Sequence, residues 1–359
     1  MHVLVRPWND RSPDVMAAWL ELRRRNPPLA NPLFHPKFTE IVARHCDNVE
    51  LAQISQTGVG IDALLAFQRM KNNIGGAVGD FLSDFHGMIC APEFCCDLRA
   101  VMRQCRLTAL EFREVPISDR SFARVADGTR PSLQIDLSSG FDAYRRNTPS
   151  VKSERIKVRR IKRAIGRLRF TMHDNREDVL DTLLRWKEEH YKRTAANDKA
   201  WGSFYRLFAV PWATPILRDV YRTQQTDFAG VLSSLYAGDV LVAAHLGMRS
   251  DHVLHHWIPA YDRSLKTYSP GLILLLKMLE HAPAAGITIL DFGQGTQEFK
   301  HRFANAQQTT AYGTVERWSL RYVRRAARRV TRDTIIAAGL ERPARRLYAY
   351  INPALRRHH

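Results

Sequence analysis

The alternation of apolar and polar positions along the second half of the chain predicts short strands and amphipathic helices. Strands are expected where β-branched and aromatic residues alternate with polar ones, and helices where apolar residues recur every three or four positions. The predicted elements are a strand at Leu168–His173, helices at Glu177–Lys192 and Ser203–Thr223, strands at Phe228–Tyr236, Val240–Arg249 and His252–Pro259, a helix from Pro270 to about Ala285, a strand at Ile287–Asp291, a helix at Thr296–Phe303 and a strand at Thr309–Arg317. This order is not the strict strand–helix alternation of a doubly wound sheet.

The first half shows weaker patterns of the same kind. The predicted elements are helices near Asp14–Arg25, Lys37–His45 and Glu93–Cys105, and strands at Val49–Ser55, Ala63–Met70, Leu107–Phe112 and Ser132–Leu137. The glycines in the segment from Ile74 to Asp80 predict a loop. The chain is therefore expected to be an α/β (α+β) protein.

Composition narrows the class of protein. The 359 residues are 45% hydrophobic and 25% charged, which is typical of a globular chain with two or three cores. The longest aliphatic run, Leu272–Leu276, is far too short to span a membrane, and the N-terminus lacks a signal-peptide pattern. We therefore expect a cytoplasmic protein. The five cysteines are few and odd in number, so neither a disulfide framework nor a metal site is expected.

Nearly all of the net charge of +18 comes from two segments. Residues 150–170 carry a net +8 and residues 319–359 a net +9, and both have apolar residues at helical spacing. They are therefore predicted to be basic amphipathic helices. Each is interpreted as the solvated face of a docked helix, as a peripheral contact with anionic lipid, or as a nucleic-acid contact, and the tail at 319–359 also as a contact with a polysaccharide synthase. Nucleic acid is disfavoured because no aromatic residues are interleaved with the basic ones.

Several short motifs in a fixed order resemble one family. The residues are Ser83-Asp84-Phe85, the basic helix at Ser153–Arg163, Arg185-Trp186, Val242-Ala243-Ala244, Tyr261-Asp262, Ser269-Pro270-Gly271, Gly286, Asp291-Phe292, Gly295 and Phe299-Lys300. The chain resembles the CelD-like acyltransferases of bacterial cellulose and exopolysaccharide synthesis, a GNAT-type group related to the FemAB transferases. The resemblance implies tandem GNAT-like domains at 1–148 and 149–318, each with a mixed sheet flanked by helices, followed by a basic helical tail at 319–359. The first domain is expected to be a degenerate copy of the second.

The segment from Tyr261 to Gly271 is the expected site for the pyrophosphate of coenzyme A. Ser269 suits a helix N-cap and Pro270 the first helical position, where free backbone N–H groups attract anions. The predicted cofactor-binding residues are Arg263, Lys266, Ser269, Gly271, Gly293 and Gly295. The alternative is that the motif simply starts a buried helix. The usual glycine-rich acetyl-CoA loop is absent.

The resemblance places Phe299 and Lys300 at the reaction centre, where the lysine would stabilise the oxyanion of acyl transfer. Asp84 and Asp262 are candidates for the general base or for binding sugar hydroxyls. The predicted substrate-binding residues are Tyr261, Asp291, Phe299 and Trp201. The alternatives are a surface lysine, aspartates at turns and core aromatic residues.

These observations predict an acyltransferase that moves an acyl group, from acetyl-CoA, to an amine or hydroxyl of a sugar or polysaccharide precursor. Direct attack without a covalent enzyme intermediate is expected, because no cysteine lies in the matched half. One alternative is a FemAB-like enzyme that uses aminoacyl-tRNA and contacts it through the basic helix. The other is a non-catalytic module that docks on a membrane polysaccharide synthase through the tail.

Overall fold

The computed structural model describes residues 1–197, 207–295 and 297–317. Residues Met1–Val315 form one compact unit. Trp201 and the predicted tail helix at 319–359 lie outside the described residues, as do residues 203–206 of a predicted helix.

The described strands are β1 (His2–Pro7), β2 (Val49–Ser55), β3 (Ala63–Met70), β4 (Ile74–Gly76), β5 (Ile89–Cys90), β6 (Ala109–Pro116), β7 (Gly128–Asp136), β8 (Leu168–Thr171), β9 (Phe228–Ala237), β10 (Val240–Ser250), β11 (Val253–Tyr261), β12 (Ile289–Asp291) and β13 (Ala306–Glu316). The described α-helices are α1 (Pro13–Arg24), α2 (Pro36–Ala43), α3 (Leu98–Gln104), α4 (Arg120–Ala123), α5 (Phe141–Asn147), α6 (Pro149–Ala164), α7 (Glu177–Asn197), α8 (Ala213–Arg222), α9 (Pro270–His281) and α10 (Glu298–Phe303). The mixed α/β class predicted from the sequence is confirmed.

One continuous mixed sheet runs through the described part of the chain. Its strand order is β1-β2-β3-β4-β6-β13-β7-β12-β11-β10-β9-β8, and β5 pairs with β3 beside this path. Strand β7 lies between β13 and β12 and is antiparallel to both. A strand that precedes residue 148 therefore completes the sheet of the second half.

Several details differ from the sequence prediction, which did not include β5, α4 or α5 and began α3 near Glu93 instead of at Leu98. The predicted loop at Ile74 contains β4, because Gly75 has no Cβ and so fits within contact distance of Leu107 and Leu110. Strand β1 was not predicted. The helix predicted at Ser203–Thr223 is interrupted before α8 by a turn at Pro211, whose ring and missing N–H break a helix.

A shared hydrophobic core joins the two halves. Trp19 and Phe38 from the first half and Leu183 and Leu217 from the second belong to one buried cluster, which packs α1 and α2 with α7 and α8. Burial of such side chains contributes about 1.5–3 kcal/mol each. The faces of the sheet away from this core are covered by α3 in the first half and by α6 and α9 in the second. The halves are therefore packed together as one body.

The basic helix α6 is docked on the second half. Val151 and Ile161 are buried, and buried Glu154 pairs with Lys157 (2.9 Å) and with Arg302 of α10 (3.6 Å). Four basic residues on the other side of the helix, Arg159, Arg160, Lys162 and Arg163, are exposed. None of the described helices is long and apolar enough to cross a membrane.

Candidate active site

A pocket opens where two parallel strands of the sheet separate. Strands β11 and β12 pair only between Val253–His255 and Ile289–Asp291. Beyond His255 the two chains diverge and leave a pocket of about 330 Å³. Its walls come from the loop after β4, from α7, from β11, and from the β12–α10 loop with α10: Phe81, Leu82, Asp84, Lys187, His190, Tyr191, Leu207, His256, Trp257, Ile258, Pro259, Tyr261, Phe292, Gln294, Gln297, Phe299 and Lys300. Both halves of the chain therefore contribute to the pocket.

A β-bulge lies on the strand beside this opening. The β10–β11 register shifts between Leu246 and Met248, and a Cβ on Gly247 would lie 2.6 Å from the His255 carbonyl oxygen. Only glycine allows this close approach of β10 to β11. Bulges bend the strand that carries them, and this one lies next to the point where β11 leaves β12.

Lys300 is a buried amine at the floor of the pocket. Its side chain is 7% exposed, and Nζ donates hydrogen bonds to the carbonyl oxygens of Phe292 (2.8 Å) and Gln294 (2.5 Å). Burial lowers the pKa of Lys300, while Asp84, Asp291 and Glu114 oppose that shift. The two carbonyls fix the amine, and its third N–H remains available for a substrate oxygen.

Asp84 reaches the pocket from the first half of the chain. A Cβ on Gly293 would lie 2.0 Å from Asp84 Oδ2 and 2.8 Å from His255 Cε1. Gly293 has φ of +62°, which a side chain would also disfavour. Glycine at this position therefore lets the carboxylate of Asp84 lie directly against the β12–α10 loop that holds Lys300.

His255 connects Asp84 to the interior. This histidine is fully buried, its Nε2 lies 3.2 Å from Asp84 Oδ2, and its Nδ1 lies 3.4 Å from Asn31 Nδ2. Asn31 Oδ1 accepts a hydrogen bond from the Leu33 N–H, so the orientation of the Asn31 amide is fixed. Because Asn31 Nδ2 can only donate, Nδ1 of a neutral His255 is the acceptor and Nε2 carries the proton that faces Asp84.

Lys187 is a second amine in the pocket, on the wall opposite α10. It extends from α7, and its Nζ donates a hydrogen bond to the carbonyl oxygen of Pro259 (3.1 Å) and lies 5.2 Å from the centre of the Tyr191 ring. Burial, and then the positive charge of Lys300, lower the pKa of Lys187 to about 8. At neutral pH the amine is therefore mostly charged, with a minor neutral fraction.

Aromatic rings form the wall between the two lysines. His256 stacks on His245 at 4.4 Å and meets Phe292 edge to face, and Phe292 meets Phe299 in the same way. Burial lowers the pKa of His245 to about 3 and that of His256 well below its usual value. Both rings are therefore neutral, apolar surfaces at physiological pH.

The structure brings four of the predicted site residues together in the pocket: Lys300, Phe299, Tyr261 and Asp84. Asp262 lies just outside, where its carboxylate caps the following turn by accepting from the Ser264 N–H (2.9 Å). Arg263 and Lys266 are exposed on that turn. Apart from Tyr261, the predicted coenzyme segment thus lies beside the pocket rather than in its lining.

Ser269 occupies the N-cap position of α9, as predicted, but with φ of +53° and no side-chain capping hydrogen bond. Gly271 packs against the ring of Tyr261, since a Cβ there would lie 3.3 Å from it. The start of α9 therefore supports the rim of the pocket.

Asp291 is 1% exposed and holds the β12–α10 loop from below. Its carboxylate accepts hydrogen bonds from the Gly293 N–H (2.7 Å) and the Gln134 side chain (2.9 Å). Gly293 and Gly295 both have positive φ in this loop. These residues shape the loop, while its Gln294 faces the pocket.

Sequence reasoning missed Lys187, His190 and Asn31 as parts of the site. Lys187 directly follows the Arg185-Trp186 motif on the predicted helix Glu177–Lys192, and this neighbourhood could have identified it as a site residue. Asn31 had no such signal, because its contact with His255 joins residues more than 200 positions apart.

Within the described residues, no group of three or more His, Cys, Asp or Glu side chains is placed to hold a metal ion. None of the five cysteines lines the pocket. Burial raises the pKa of Cys90 and Cys105, and raises that of Cys96 to about 11, so these thiols are poor nucleophiles.

The comparisons with known proteins agree with this architecture. Residues 151–301 match the family model of the acetyltransferase (GNAT) domain. The solved structure of FemX is similar at 10% identity and a TM-score of 0.51, over 88% of this chain and 96% of that chain. A tandem GNAT protein from the clavulanic acid biosynthesis pathway is similar at 11% identity and a TM-score of 0.50, over 88% and 98%. No curated protein matches the sequence.

These similarities establish the fold. The chain has the tandem GNAT fold, as predicted, and residues 151–301 match the model of the acetyltransferase (GNAT) domain. The narrower resemblance to the CelD-like group stays a prediction.

Proposed function

We propose that this GNAT-fold acyltransferase moves an acetyl group from acetyl-CoA to an amine or hydroxyl of a sugar or polysaccharide precursor. The observation that carries the proposal is the placement of Lys300. A buried amine, fixed by two backbone carbonyls, faces a pocket that opens between separating parallel strands. Acyl transfer requires such a preorganised donor where negative charge develops on the acyl oxygen.

Lys300 is proposed as that donor. Two of its N–H groups are bound to backbone carbonyls, and the third is proposed to donate a hydrogen bond to the oxygen of the acyl group as the acceptor attacks. Burial makes this interaction stronger than it is in water, because the local dielectric is lower. Phe299, on the same helix, packs against Phe292 and closes the pocket wall.

Asp84 is proposed as the group that takes the proton of the attacking amine or hydroxyl. The carboxylate lines the pocket, and the Nε2–H of His255 faces its Oδ2, so His255 positions the base. Asn31 in turn holds the ring of His255 in the required tautomer. Asp262 follows the end of β11 and does not line the pocket. It is therefore proposed to bind the acceptor at the rim of the pocket and not to take the proton.

The donor is proposed to lie along β11, with its pyrophosphate near the start of α9. The positive end of the helix dipole at the start of α9 favours an anion, and exposed Arg263 and Lys266 add positive charge there. Tyr261 and Gly271 lie between this turn and the pocket. Trp201 is proposed as a further acceptor contact, and Asp291 acts on the substrate through the loop that it holds.

Transfer is proposed to be direct, without an acyl-enzyme, since the described pocket offers no cysteine or serine nucleophile. The proposed setting is the cytoplasmic side of exopolysaccharide synthesis, with the basic tail at 319–359 contacting anionic lipid or a synthase.

The test measures acetyl-CoA binding by isothermal titration calorimetry and acetyl transfer by thiol release. We expect Lys300→Met to reduce turnover at least about 100-fold, the usual effect of removing one such donor. Lys277→Met is the matched control, because Lys277 is a partly exposed lysine on α9 paired with Glu280. Absence of acetyl-CoA binding at millimolar concentration, or an active Lys300→Met variant, would contradict the proposal.

A FemAB-like reaction with aminoacyl-tRNA is the second candidate, favoured by the exposed basic face of α6. It predicts tRNA binding that weakens steeply with salt, since phosphate contacts release counterions. Filter binding at low and moderate salt distinguishes the two donors.

A non-catalytic module would instead keep polysaccharide output intact in a Lys300→Ala strain.

A further inference from the structure

The charges that line the pocket do not balance. Lys187 from α7 and Lys300 from α10 both line it, and Asp84 is the one acidic side chain among its described lining residues. Asp84 is the first of the charges that raise the pKa of Lys300, against the larger effect of burial. The pocket therefore has an excess of positive charge before any substrate enters.

Lys187 has no acidic partner among the residues that the structure describes. Among the described residues no carboxylate forms an ion pair with it, and the charge that shifts its titration is the like charge of Lys300. Within the described part of the chain, its hydrogen bond goes to the neutral carbonyl of Pro259. A half-buried ammonium that is paired only with a neutral group costs free energy unless a counter-charge is supplied.

The two other α7 side chains that line the described pocket, His190 and Tyr191, carry no negative charge. His190 lies one turn further along α7, and burial together with Lys187 and Arg263 lowers its pKa. Tyr191 presents its ring to the amine, and its phenol stays protonated because burial and Asp84 raise its pKa. This wall of the pocket therefore presents one cation beside an aromatic ring and an imidazole. Such a surface suits a ligand in which an anionic group is next to an apolar group or a ring.

We propose that Lys187 binds an anionic group, a carboxylate or a phosphate, carried by the acceptor close to its nucleophile. This inference rests on the proposed function and narrows its substrate class to acidic acceptors. The anion lies across the pocket from Lys300, so that the nucleophile between them faces Asp84. Neutral sugars leave the ammonium of Lys187 without a counter-charge and are poor acceptors.

Equilibrium binding of two probe anions tests this without any acyl donor. Inorganic phosphate and acetate are titrated separately at constant ionic strength into the wild-type protein and the Lys187→Gln, Lys187→Arg and Lys192→Gln variants. We expect Lys187→Gln to weaken binding of at least one anion about tenfold or more, with Lys187→Arg restoring most of it. Lys192→Gln removes an exposed lysine of the same helix and should bind like wild type.

The two probes separate the sources of the anion, because preferential binding of phosphate indicates a phosphorylated acceptor and that of acetate an acidic sugar or peptide. Equal binding of both probes to wild type and Lys187→Gln would overturn the proposal. If Lys187→Gln binds anions like wild type but no longer transfers the acetyl group, the amine acts in proton transfer instead. A protein that binds anions through Lys187 yet transfers no acetyl group would refute only the proposed function.

Discussion

Gly293 shows how one residue without a side chain sets the geometry of the pocket. The space that a Cβ would need at this position is occupied by the carboxylate of Asp84 and the ring of His255. The left-handed backbone at Gly293 also aims the following carbonyl, that of Gln294, at the Lys300 amine. The proposed base and the proposed oxyanion donor therefore depend on the same glycine.

We expect Gly293→Ala to reduce the free energy of unfolding by about 3 kcal/mol. Alanine is strained in the left-handed backbone conformation of this residue, and its Cβ would overlap with Asp84 and His255. Acetyl transfer should be lost at temperatures where the variant remains folded, because Asp84 is displaced. Gly286→Ala is the control. Gly286 has φ of +74° but open space around its Cβ position, so only the strain of about 1 kcal/mol applies. Urea unfolding and turnover measure both effects, and equal losses in the two variants would contradict the argument.

At the scale of elements, α6 and α10 are joined by a buried carboxylate. Glu154 is fully buried on α6 and faces Lys157 on its own helix and Arg302 on α10, two residues after Lys300. The short helix α10 has only six residues and so little stability of its own. Its position depends on packing and on this ion pair.

We expect Glu154→Gln to lower the free energy of unfolding by about 1–3 kcal/mol, since hydrogen bonds to a buried charge are lost while the shape is kept. Glu280→Gln removes a half-exposed carboxylate paired with Lys277 and should cost less than about 0.5 kcal/mol. Thermal or urea unfolding of the two variants checks the difference. A Glu154→Gln variant as stable as Glu280→Gln would show that packing alone holds α10.

The sequence patterns predicted most elements, and the failures have physical causes. Strands β2 and β3 were predicted at their observed bounds because their apolar residues lie between two glycine- or polar-rich turns. Strand β4 was predicted as a loop because glycine usually breaks strands, whereas here close packing on Leu107 selects it. Lys300 and Asp84 were found from motifs, but the contacts that give Lys187 and His255 their chemistry are made only by tertiary packing.

At the scale of the whole molecule, several buried histidines make the folded state sensitive to acid. Burial is the largest cause that lowers the pKa of His35 and His86 to about 4 and that of His245 to about 3. The unfolded chain binds these protons near pH 6.5, so it is favoured as the pH falls from there towards 4. Asp119 opposes this with one proton, because burial raises its pKa to about 6 in the folded state.

We therefore expect the free energy of unfolding to fall as the pH is lowered from about 6.5 to 4. Removing one of these groups in His86→Gln should reduce the slope by at most about 1.4 kcal/mol per pH unit, the value of one proton. His281→Gln, which replaces an exposed histidine on α9, is the comparison variant. Urea unfolding at a series of pH values measures it, and a slope that is the same in His86→Gln and wild type would contradict the assignment.

The position of β7 also determines how the molecule can be divided. A fragment that starts at residue 149 lacks this strand, and the edges of β12 and β13 that pair with it are then open. Open edges recruit strands from other chains, so such a fragment would self-associate instead of yielding an independent catalytic module. Recombination between related genes at this point would pair β7 of one parent with β12 and β13 of the other, so these strands must remain compatible for the two halves to be exchanged.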